Sequence, residues 1–352
     1  MRILIHYFTG TGNTAHAAEL LSKELKGMNI DTGIVCVNRN TPLLTIKADY
    51  HVFMFPVYAF TIPYTFQLYM KKLKAEKDTK AAVIANFGMI STKGGWHTGY
   101  EGQSAKQAAR MLKRRGFDVV LMESVGYPEN ITIFASAVSD HTCSSIFEIA
   151  DLCIKSIACK IASNERHTKQ YGFADTVFGW LGGSLFTYLG RWQFGKFYIS
   201  DESCNSCGLC ERICPANTIH INNKKPVWSY RCDACLKCYN VCPQKSIQIS
   251  NIRMFTVLVY TVALVPFISA YGSMLWSLLV RILTGNSHIS FAGMGIIKIL
   301  YYILCYLLSF PLGFFVLDKL IYILEQVPFI RKLFLKSYTK KYIRYKAPGF
   351  KG

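Results

Sequence analysis

The sequence predicts an α/β protein with a doubly wound, five-stranded parallel sheet, followed by a small α+β domain and a transmembrane helical hairpin. Three observations support this prediction. Residues 1–165 alternate strand-like and helix-like patterns, as in parallel sheets that are covered by helices on both faces. Residues 199–252 repeat one cysteine pattern. Residues 253–324 contain two apolar runs of membrane-spanning length.

Charge and cysteine content restrict the class of protein. The 352-residue chain is long enough for two or three domains, and its formal net charge is +19. No block resembles a nucleic-acid motif, so we expect no nucleic-acid partner. Residues 325–352 form a basic tail after an apolar run, which favours an anionic membrane surface. The thirteen cysteines are odd in number, and the opening residues lack a signal-peptide pattern. Both facts favour a reducing cytosol, where clustered cysteines bind metal.

The first domain, residues 1–165, is predicted element by element. Short apolar runs predict strands at 2–7, 32–37, 50–57, 80–87 and 118–125. Helical patterns between and after them predict helices at 13–26, 62–74, 101–115 and 142–162. A parallel sheet of this kind binds its ligand at the carboxyl ends of the strands, at a topological switch point.

The turn after the first strand reads FTGTGNTAHAAEL and has the composition of a phosphate-binding loop. Threonine hydroxyls, backbone N–H groups and a helix N-terminus together bind a phosphate monoester without a cationic side chain. The spacing matches neither the G-x-G-x-x-G dinucleotide turn nor a Walker loop. The alternative is an ordinary glycine turn that is capped by threonine. The candidate phosphate-binding residues are Thr9, Gly10, Thr11, Gly12, Asn13 and Thr14.

The same turn resembles the signature of the flavodoxin family, which runs aromatic, x, Ser/Thr, two residues, Gly, x, Thr, three residues, Ala. The residues that fit this signature are Tyr7, Thr9, Gly12, Thr14 and Ala18. His6 departs from it, because an apolar strand residue is usual at that position. The resemblance covers residues 1–165 and implies a flavodoxin-like sheet that binds FMN.

Flavodoxin-like domains contact the flavin through two further loops, and both have counterparts here. PVYAFTIP follows the third predicted strand, and NFGMISTKGGWHTGYEG follows the fourth. The resemblance therefore adds the flavin-binding candidates Pro56, Val57, Tyr58, Asn86, Phe87, Gly88, Trp96 and Tyr100. Of these, Tyr58, Trp96 and Tyr100 are candidates to stack on the isoalloxazine ring, and the alternative for each is packing within its loop.

The cysteine-dense domain, residues 199–252, contains CNSCGLCERICP and CDACLKCYNVCP, two intact copies of C-x2-C-x2-C-x3-C-P. This is the bacterial two-cluster ferredoxin pattern, in which the fourth cysteine of each run ligates the other cluster. The resemblance implies one 4Fe–4S cluster on Cys204, Cys207, Cys210 and Cys242. It implies a second cluster on Cys232, Cys235, Cys238 and Cys214. Zinc is the alternative metal, but a zinc site needs only four ligands and no x3-C-P extension.

The remaining cysteines lie on apolar strands or helices and are predicted to be small buried residues. They are Cys36, Cys143, Cys153, Cys159 and Cys305.

An aromatic and glycine-rich connector, residues 166–198, joins the two domains. Within it, Phe173 to Gly190 is long enough to span a bilayer, but Asp175 and several glycines reduce its tendency to insert. We predict that it does not span. Two alternatives remain for it: an interfacial position at the membrane surface, or packing against a neighbouring domain.

Two uncharged segments, Met254 to Val280 and Ile299 to Leu317, are long enough to span a bilayer. The alternative is a pair of buried core helices. The connection between them, Arg281 to Lys298, is short, which predicts a hairpin with both ends on one side. The basic tail predicts that this side is the cytoplasm, with the protein in the cell membrane.

Residues 1–252 together resemble the flavodoxin–ferredoxin fusions of anaerobic bacteria, here with a membrane extension. We therefore expect a membrane-anchored protein that passes electrons between FMN and two 4Fe–4S clusters. No acid–base or nucleophile constellation stands out, so no catalytic residue is assigned. The electron donor or acceptor is an unidentified redox protein or a small molecule. The alternatives are a flavin-dependent reductase of a small molecule that the clusters supply with electrons, and a membrane redox sensor or scaffold.

Overall fold

The computed structural model describes residues 1–42, 48–76, 78–91, 97–284 and 295–352. The chain forms two compact units. The first unit contains Met1–Gln248 together with Thr339–Gly352, and the second contains Ile249–Tyr338. The first unit is thus built from two separate stretches of chain.

The first unit contains the predicted doubly wound sheet. Its strands are β1 (Arg2–Tyr7), β2 (Asp31–Cys36), β3 (Tyr50–Pro56), β4 (Lys80–Ser91), β5 (His97–Gly99), β6 (Asp118–Pro128) and β7 (His167–Thr168). The five long strands are parallel in the order β2-β1-β3-β4-β6, which is the flavodoxin-like order. The short β5 pairs antiparallel with β4, and β7 extends the edge beside β6. The predicted fold class is confirmed.

Helices cover both faces of this sheet because strand side chains alternate between the faces. The helices are α1 (Asn13–Gly27), α2 (Tyr64–Lys72), α3 (Ser104–Lys113) and α4 (Asp140–Ala162). Ile3 and Ile5 pack with residues of α1 and α4 in one apolar core. Phe53 and Phe55 pack with residues of α2 and α3 in the other. Loops at the carboxyl ends of the strands therefore meet above one edge of a rigid sheet.

His6, which departs from the family signature, belongs to a buried polar network. Its Nδ1 atom lies 2.8 Å from the Tyr69 hydroxyl, and its Nε2 atom lies 2.8 Å from Nδ1 of His51. The ring also stacks on Phe53. The polar atoms of His6 are therefore paired inside the core, as buried polar groups require.

The connector forms α5 (Phe173–Leu185), a π-helical turn (Phe186–Gly190), α6 (Arg191–Phe197) and β8 (Tyr198–Ser200). Glycines bring α5 close to the flavodoxin-like domain. Gly179 lies against Gln103, and Gly182 and Gly183 lie against the Phe60–Thr61 turn. The other side of the segment exposes large apolar side chains: Phe173, Phe178, Trp180, Leu181, Leu185 and Tyr188. Packing on a neighbouring domain, one of the two alternatives for this segment, is therefore present on its glycine face.

The cysteine-dense domain is small and built around two two-stranded sheets. Its further elements are α7 (Leu209–Arg212), β9 (Ile219–Asn222), β10 (Lys225–Trp228), α8 (Lys237–Val241) and β11 (Ile247–Ile249). β9 pairs antiparallel with β10, and β11 pairs with β8 of the connector. Each cysteine run is a loop followed by one of the two short helices, and the fourth cysteine of the run comes after that helix.

The second unit contains α9 (Asn251–Thr284), α10 (Gly295–Glu325) and α11 (Pro328–Phe334). The first two are antiparallel, since Arg253 near the start of α9 forms an ion pair with Glu325 at the end of α10. Tyr260 donates its hydroxyl to the carbonyl of Phe310 at 3.0 Å, and Gly272 lies against Tyr302. Both ends of this helical hairpin therefore lie on one side of it.

Among the described residues, two helices are long and apolar enough to cross a membrane, Asn251–Ile282 and Ile297–Glu325. Their mean hydropathy values are 1.9 and 2.0, and only 17% and 11% of their most apolar stretches are buried. A core helix of a soluble protein is mostly buried, so these exposed apolar surfaces do not fit that alternative.

The prediction that the five remaining cysteines are buried is wrong. Cys36, Cys153 and Cys159 are exposed, and Cys143 and Cys305 are half-buried. Strand β2 is an edge strand, and α4 has one face in solvent, so a cysteine on an apolar element need not face its core.

Candidate functional site

A cleft lies at the carboxyl edge of the sheet and is formed by the three predicted loops. Thr9 to Thr14 follow β1, and Pro56 to Tyr58 include the last residue of β3 and the two after it. Asn86 to Gly88 lie in β4, starting opposite Pro56. The predicted residues that line this cleft are Thr9, Gly10, Thr11, Asn13, Thr14, Pro56, Val57, Tyr58, Asn86, Phe87 and Gly88. The topological switch point between β1 and β3 supplies two of the three loops.

Several buried polar atoms in this cleft have no partner among the described residues. The Thr14 hydroxyl, the Tyr58 hydroxyl and both polar atoms of the Asn86 amide are buried there without a hydrogen bond. Such groups cost about 1–3 kcal/mol each unless a ligand or water satisfies them. Thr14 lies in the first turn of α1, where no acidic side chain and no side-chain cap is present. The free N–H groups of that turn and the Thr14 hydroxyl fit a phosphate, and Asn86 fits the polar edge of a ring.

The loop at the end of β6 forms the fourth wall of the cleft, and no sequence pattern predicted it. Tyr127, Pro128, Glu129 and Asn130 line it. Asn130 donates its amide to the Thr11 hydroxyl at 2.9 Å. The Glu129 carboxylate accepts the N–H groups of Asn130 and Ile131 and lies against Gly88. The available signal was topological, since the carboxyl end of every parallel strand lies at this edge.

Two of the predicted flavin-binding residues that the structure describes do not line the cleft, Gly12 and Tyr100. Gly12 lies beside it at φ +108° and forms the N-cap of α1. Tyr100 lines a separate cavity, where its hydroxyl donates to Asp175 at 2.9 Å and its ring contacts Phe60. Trp96 lies outside the described residues. Of the two stacking candidates that the structure describes, Tyr58 lines the cleft and Tyr100 does not.

The eight cysteines of the repeat form two groups in which the fourth cysteine of each run is exchanged. Cys214 lies near Cys232, Cys235 and Cys238. Burial raises the pKa of each of these three thiols, and the nearby Cys214 adds to each shift. Cys210 likewise lies near Cys204, Cys242 and Cys207, which add to the rise that burial causes in its pKa. Among the described residues, no three His, Cys, Asp or Glu side chains converge tightly enough to hold a single metal ion. Cys204, Cys207, Cys210 and Cys242 line one cavity, together with Cys238.

Burial controls the protonation of these thiols. It raises the pKa of Cys235 to about 12 and that of Cys210 to about 11. Backbone N–H groups of Thr218 and Ala234 donate to the sulfur atoms of Cys214 and Cys232, both at 3.4 Å. Iron binding would replace the protons on these thiols, and the donors would then stabilise the negative charge of the thiolates.

The cysteine group that contains Cys235 lies directly against the cleft. A Cβ atom at Gly10 would stand 2.5 Å from the carbonyl oxygen of Cys235 and 2.5 Å from the Tyr58 hydroxyl. Cys235 belongs to the same apolar core as Phe8 and Tyr58. Burial raises the pKa of Tyr58 well above its usual value, and the nearby Cys235 adds to that shift. The backbone at Gly10 and the ring of Tyr58 thus separate the cleft from this cysteine group.

Polar contacts hold the cysteine-dense domain on the flavodoxin-like domain. The buried Asp233 carboxylate accepts the backbone N–H of Thr65 at 3.1 Å and so caps the first turn of α2. Thr132 donates its hydroxyl to Asn240 at 2.7 Å. The N–H of Arg39 donates to the carbonyl of Pro215 at 2.8 Å. The junction therefore has a defined geometry on both sides of the cleft.

Comparisons with known proteins identify the cysteine-dense domain. Residues 203–247 match the family model of the 4Fe-4S dicluster domain. The chain therefore contains a 4Fe–4S cluster domain beside its flavodoxin-like domain. No curated protein matches the chain.

Solved structures that resemble the chain include several flavodoxins. The flavodoxin from Streptococcus pneumonia TIGR4 is 12% identical, with a TM-score of 0.32, over 47% of this chain and 99% of that one. Oxidised flavodoxin 2 from Bacillus cereus is 14% identical, with a TM-score of 0.33, over 47% and 99%. Rubredoxin oxygen:oxidoreductase from Desulfovibrio gigas is 16% identical, with a TM-score of 0.29, over 46% and 37%. The fold assignment rests on the strand order and not on these scores.

Proposed function

We propose that this protein is a membrane-anchored electron-transfer protein that passes electrons between FMN and two 4Fe–4S clusters. The observation that carries the proposal is the close contact between Cys235 and the cleft at Gly10 and Tyr58. Electron exchange between two cofactors depends on their separation, and this contact supports a short path. Bound FMN would exchange one or two electrons, whereas each cluster would exchange one.

The protein's own residues bind and orient the two kinds of cofactor. The first turn of α1 and the Thr14 hydroxyl would bind the phosphate. Tyr58 and Asn86 would contact the ring. Among the described residues that line the cleft, Glu129 is the charged one, and it lies beside Gly88. Since none of these described residues is Lys or Arg, the proposal assigns the phosphate to backbone and helix-end dipoles.

Membrane anchoring is supported by the two exposed apolar helices of the second unit. The buried ion pair of Arg253 and Glu325 joins the start of α9 to the end of α10. A charged pair of this kind suits the base of a hairpin near the headgroups rather than the bilayer centre. The redox domains would then lie on the cytoplasmic side, in agreement with the basic residues that follow the hairpin.

The exposed apolar side chains of the connector support a second, interfacial attachment. Phe173, Phe178 and Trp180 are 86%, 71% and 61% exposed, while glycines on the other face of α5 pack on the flavodoxin-like domain. A helix with one face on protein and an aromatic face in contact with headgroups lies on a membrane without crossing it. The connector would thus hold the redox domains at the membrane surface.

Anaerobic purification with analysis of iron, sulfide and flavin tests the central proposal. We expect about eight iron atoms per chain from two intact cysteine sets, and FMN as the flavin. Flavin reduction should follow cluster reduction in stopped-flow absorbance. About four iron atoms, or stoichiometric zinc, would contradict the assignment of two clusters.

The variant Cys214→Ser tests the exchange of the fourth ligands. It should mainly disturb the spin-resonance signal of the cluster on Cys232, Cys235 and Cys238, because Cys214 lies among those thiols. Cys153→Ser, at an exposed cysteine of α4, is the matched control and should leave both signals unchanged. A change confined to the cluster on Cys204, Cys207 and Cys210 would show that the ligands are not exchanged.

A second candidate function, reduction of a small molecule at the flavin, is favoured by one neighbouring cavity. It has a volume of about 140 Å³ and shares Phe87 with the cleft. Lys169 and Glu101 form an ion pair in its wall at 2.6 Å, and Tyr171 donates to the same carboxylate at 3.0 Å. Rapid, saturable oxidation of the reduced protein by a small acceptor, weakened in Lys169→Ala, would support this function. An unaltered rate in that variant would leave electron transfer as the better proposal.

A further inference from the structure

The C-terminal strap, residues 343–350, runs across the phosphate-binding turn. The backbone N–H of Ala347 donates to the carbonyl of Thr11 at 2.8 Å. The Tyr345 hydroxyl donates to the side-chain oxygen of Asn13. A Cβ atom at Gly12 would stand 2.6 Å from the ring of Phe350. Three consecutive residues of the turn thus contact a segment that is more than 330 positions away in the chain.

The Ala347 contact determines which way one peptide group of the turn faces. In a trans peptide the C=O and N–H point in opposite directions. The strap binds the C=O of the Thr11–Gly12 peptide, so its N–H points to the other side, where it donates to the Thr9 hydroxyl at 3.2 Å. Thr9 lines the cleft, and its hydroxyl keeps its own hydrogen for a further bond. Through this peptide group, the strap therefore holds the Thr9 hydroxyl in the position from which it would donate to a phosphate.

The Tyr345 contact orients Asn13, the first residue of α1. Its side-chain oxygen accepts from Tyr345, and its side-chain nitrogen donates to the carbonyl of Pro128 at 3.0 Å. With both polar atoms engaged, Asn13 ties the turn to the β6 loop on one side and to the strap on the other. The side chain of Tyr345 is 4% exposed, so this contact lies in the interior.

The strap is itself fixed to the 4Fe–4S domain. The Arg344 guanidinium donates to the carbonyls of Tyr239, Lys245 and Ile247. The backbone N–H of Tyr345 donates to the Asn240 side chain at 2.9 Å. Lys237 lies over the ring of Phe350. Lys237, Tyr239 and Asn240 belong to α8, the helix that carries Cys238.

We propose that the C-terminal strap is a structural part of the phosphate site and increases the affinity for FMN through its phosphate. This rests on the proposed function, in which the cleft binds FMN. Tyr345, Ala347 and Phe350 act as positioning residues, because they contact the turn and not the cleft. Anchoring by Arg344 makes the phosphate site depend on the fold of the cluster domain.

The test uses the full-length chain with its clusters in detergent, freed of flavin and titrated with FMN or riboflavin by flavin fluorescence. Tyr345→Phe should weaken FMN binding about twofold to tenfold, the effect of one hydrogen bond, and Phe350→Ala should also weaken it. Riboflavin, which lacks the phosphate, should bind equally to wild type and variants. Lys346→Ala, at an exposed position between Tyr345 and Ala347, is the matched control and should bind like wild type.

The outcomes separate the two proposals. If wild type fails to bind FMN, the flavin assignment is wrong, and the strap proposal falls with it. If wild type binds FMN and both strap variants bind it equally well, or if riboflavin affinity falls in parallel, only the strap proposal is overturned. Iron content confirms that each variant retains the cluster domain, and the second strap variant decides the matter if the first loses iron.

Discussion

Gly10 sets how closely the cleft and the cluster domain approach each other. Any side chain at this position would meet the backbone oxygen of Cys235, which cannot move without its whole loop. We predict that Gly10→Ala slows reduction of the flavin by the clusters and destabilises the junction by about 1–3 kcal/mol, the usual cost of overpacking. Stopped-flow absorbance measures the rate, and thermal denaturation measures the stability.

Gly27→Ala is the control for this substitution, because nothing lies within 4 Å of a Cβ atom at that position. It should leave both the rate and the stability near those of wild type. If the two alanine variants reduce their flavins equally fast, the contact between Gly10 and Cys235 does not lie on the electron path.

Thr14 carries the prediction for flavin affinity. Its hydroxyl is buried in the first turn of α1 and has no partner in the part of the chain that the structure describes. Thr14→Ala should weaken FMN binding by about 1–3 kcal/mol, as expected for a hydrogen bond to a charged group, and should leave riboflavin binding unchanged. Thr168→Ala, at an exposed position on β7, is the control. FMN affinity equal to that of wild type would count against this phosphate site.

At this scale the sequence was most informative where a property is local. Thr9 to Thr14 were predicted as a phosphate turn because a glycine-threonine turn before a helix offers unpaired backbone N–H groups that can bind an anion. Glu129 and Asn130 were missed because no turn composition marks them, and only the sheet brings them to the cleft. The orientation of the Tyr100 side chain depends on its contacts with Phe60 and Asp175, which lie far away in the sequence.

At the scale of the elements, the hydrogen-bonded pair of His6 on β1 and His51 on β3 predicts sensitivity to acid. Burial lowers the pKa of His6 well below its usual value and lowers that of His51 to about 4. The unfolded chain therefore binds protons first as pH falls below about 6.5. The stability from the neutral pair is complete above that pH and is lost as pH falls toward 4.

The measurement is the thermal midpoint between pH 7.5 and 4.5 in His51→Gln and in His141→Gln, whose histidine is exposed on α4. His51→Gln should lose stability less steeply with acid, by at most about 1.4 kcal/mol per pH unit for one proton. Comparing two variants cancels the acid sensitivity of the clusters. Parallel pH profiles would show that His51 does not titrate on unfolding.

The elements themselves were largely predictable, because each strand and helix of the first domain has its own periodicity. The predicted helix at 142–162 corresponds to α4 (Asp140–Ala162), which begins two residues earlier, directly after the Ser139 cap. The short β7 was not predicted, since His167 and Thr168 form a strand only because β6 offers a free edge. A strand of two residues is too short to show the alternating pattern that predicts a strand.

At the scale of the whole molecule, the hairpin predicts that both chain segments flanking it face the cytoplasm. Cys153 and Cys159 are exposed on the first unit and serve as native probes. A membrane-impermeant maleimide should label them in inverted vesicles and not in intact cells, with peptide mass spectrometry as the readout. A cysteine introduced at Lys351 should behave in the same way.

A cysteine at Ser287, between the two apolar segments, is the control for this topology experiment. It should be labelled in intact cells, which shows that the reagent reaches the outer face. Labelling of Cys153 in intact cells would overturn the topology and the proposed cytoplasmic position of the clusters.

The contact between the C-terminal strap and the phosphate turn could not be predicted from the sequence. The basic composition of the tail predicted a membrane surface and not its contacts with Thr11 and Asn13.

The division of the first unit into Met1–Gln248 and Thr339–Gly352 has a consequence for biosynthesis. A ribosome makes the flavodoxin-like and cluster domains first, then the hairpin, and the strap only afterwards. Domains begin to fold as they emerge during synthesis. On the strap proposal, the nascent chain could not retain FMN tightly until the translocation machinery had received both apolar segments. Cofactor loading would then follow membrane insertion, and a chain whose insertion had stalled would remain poor in flavin.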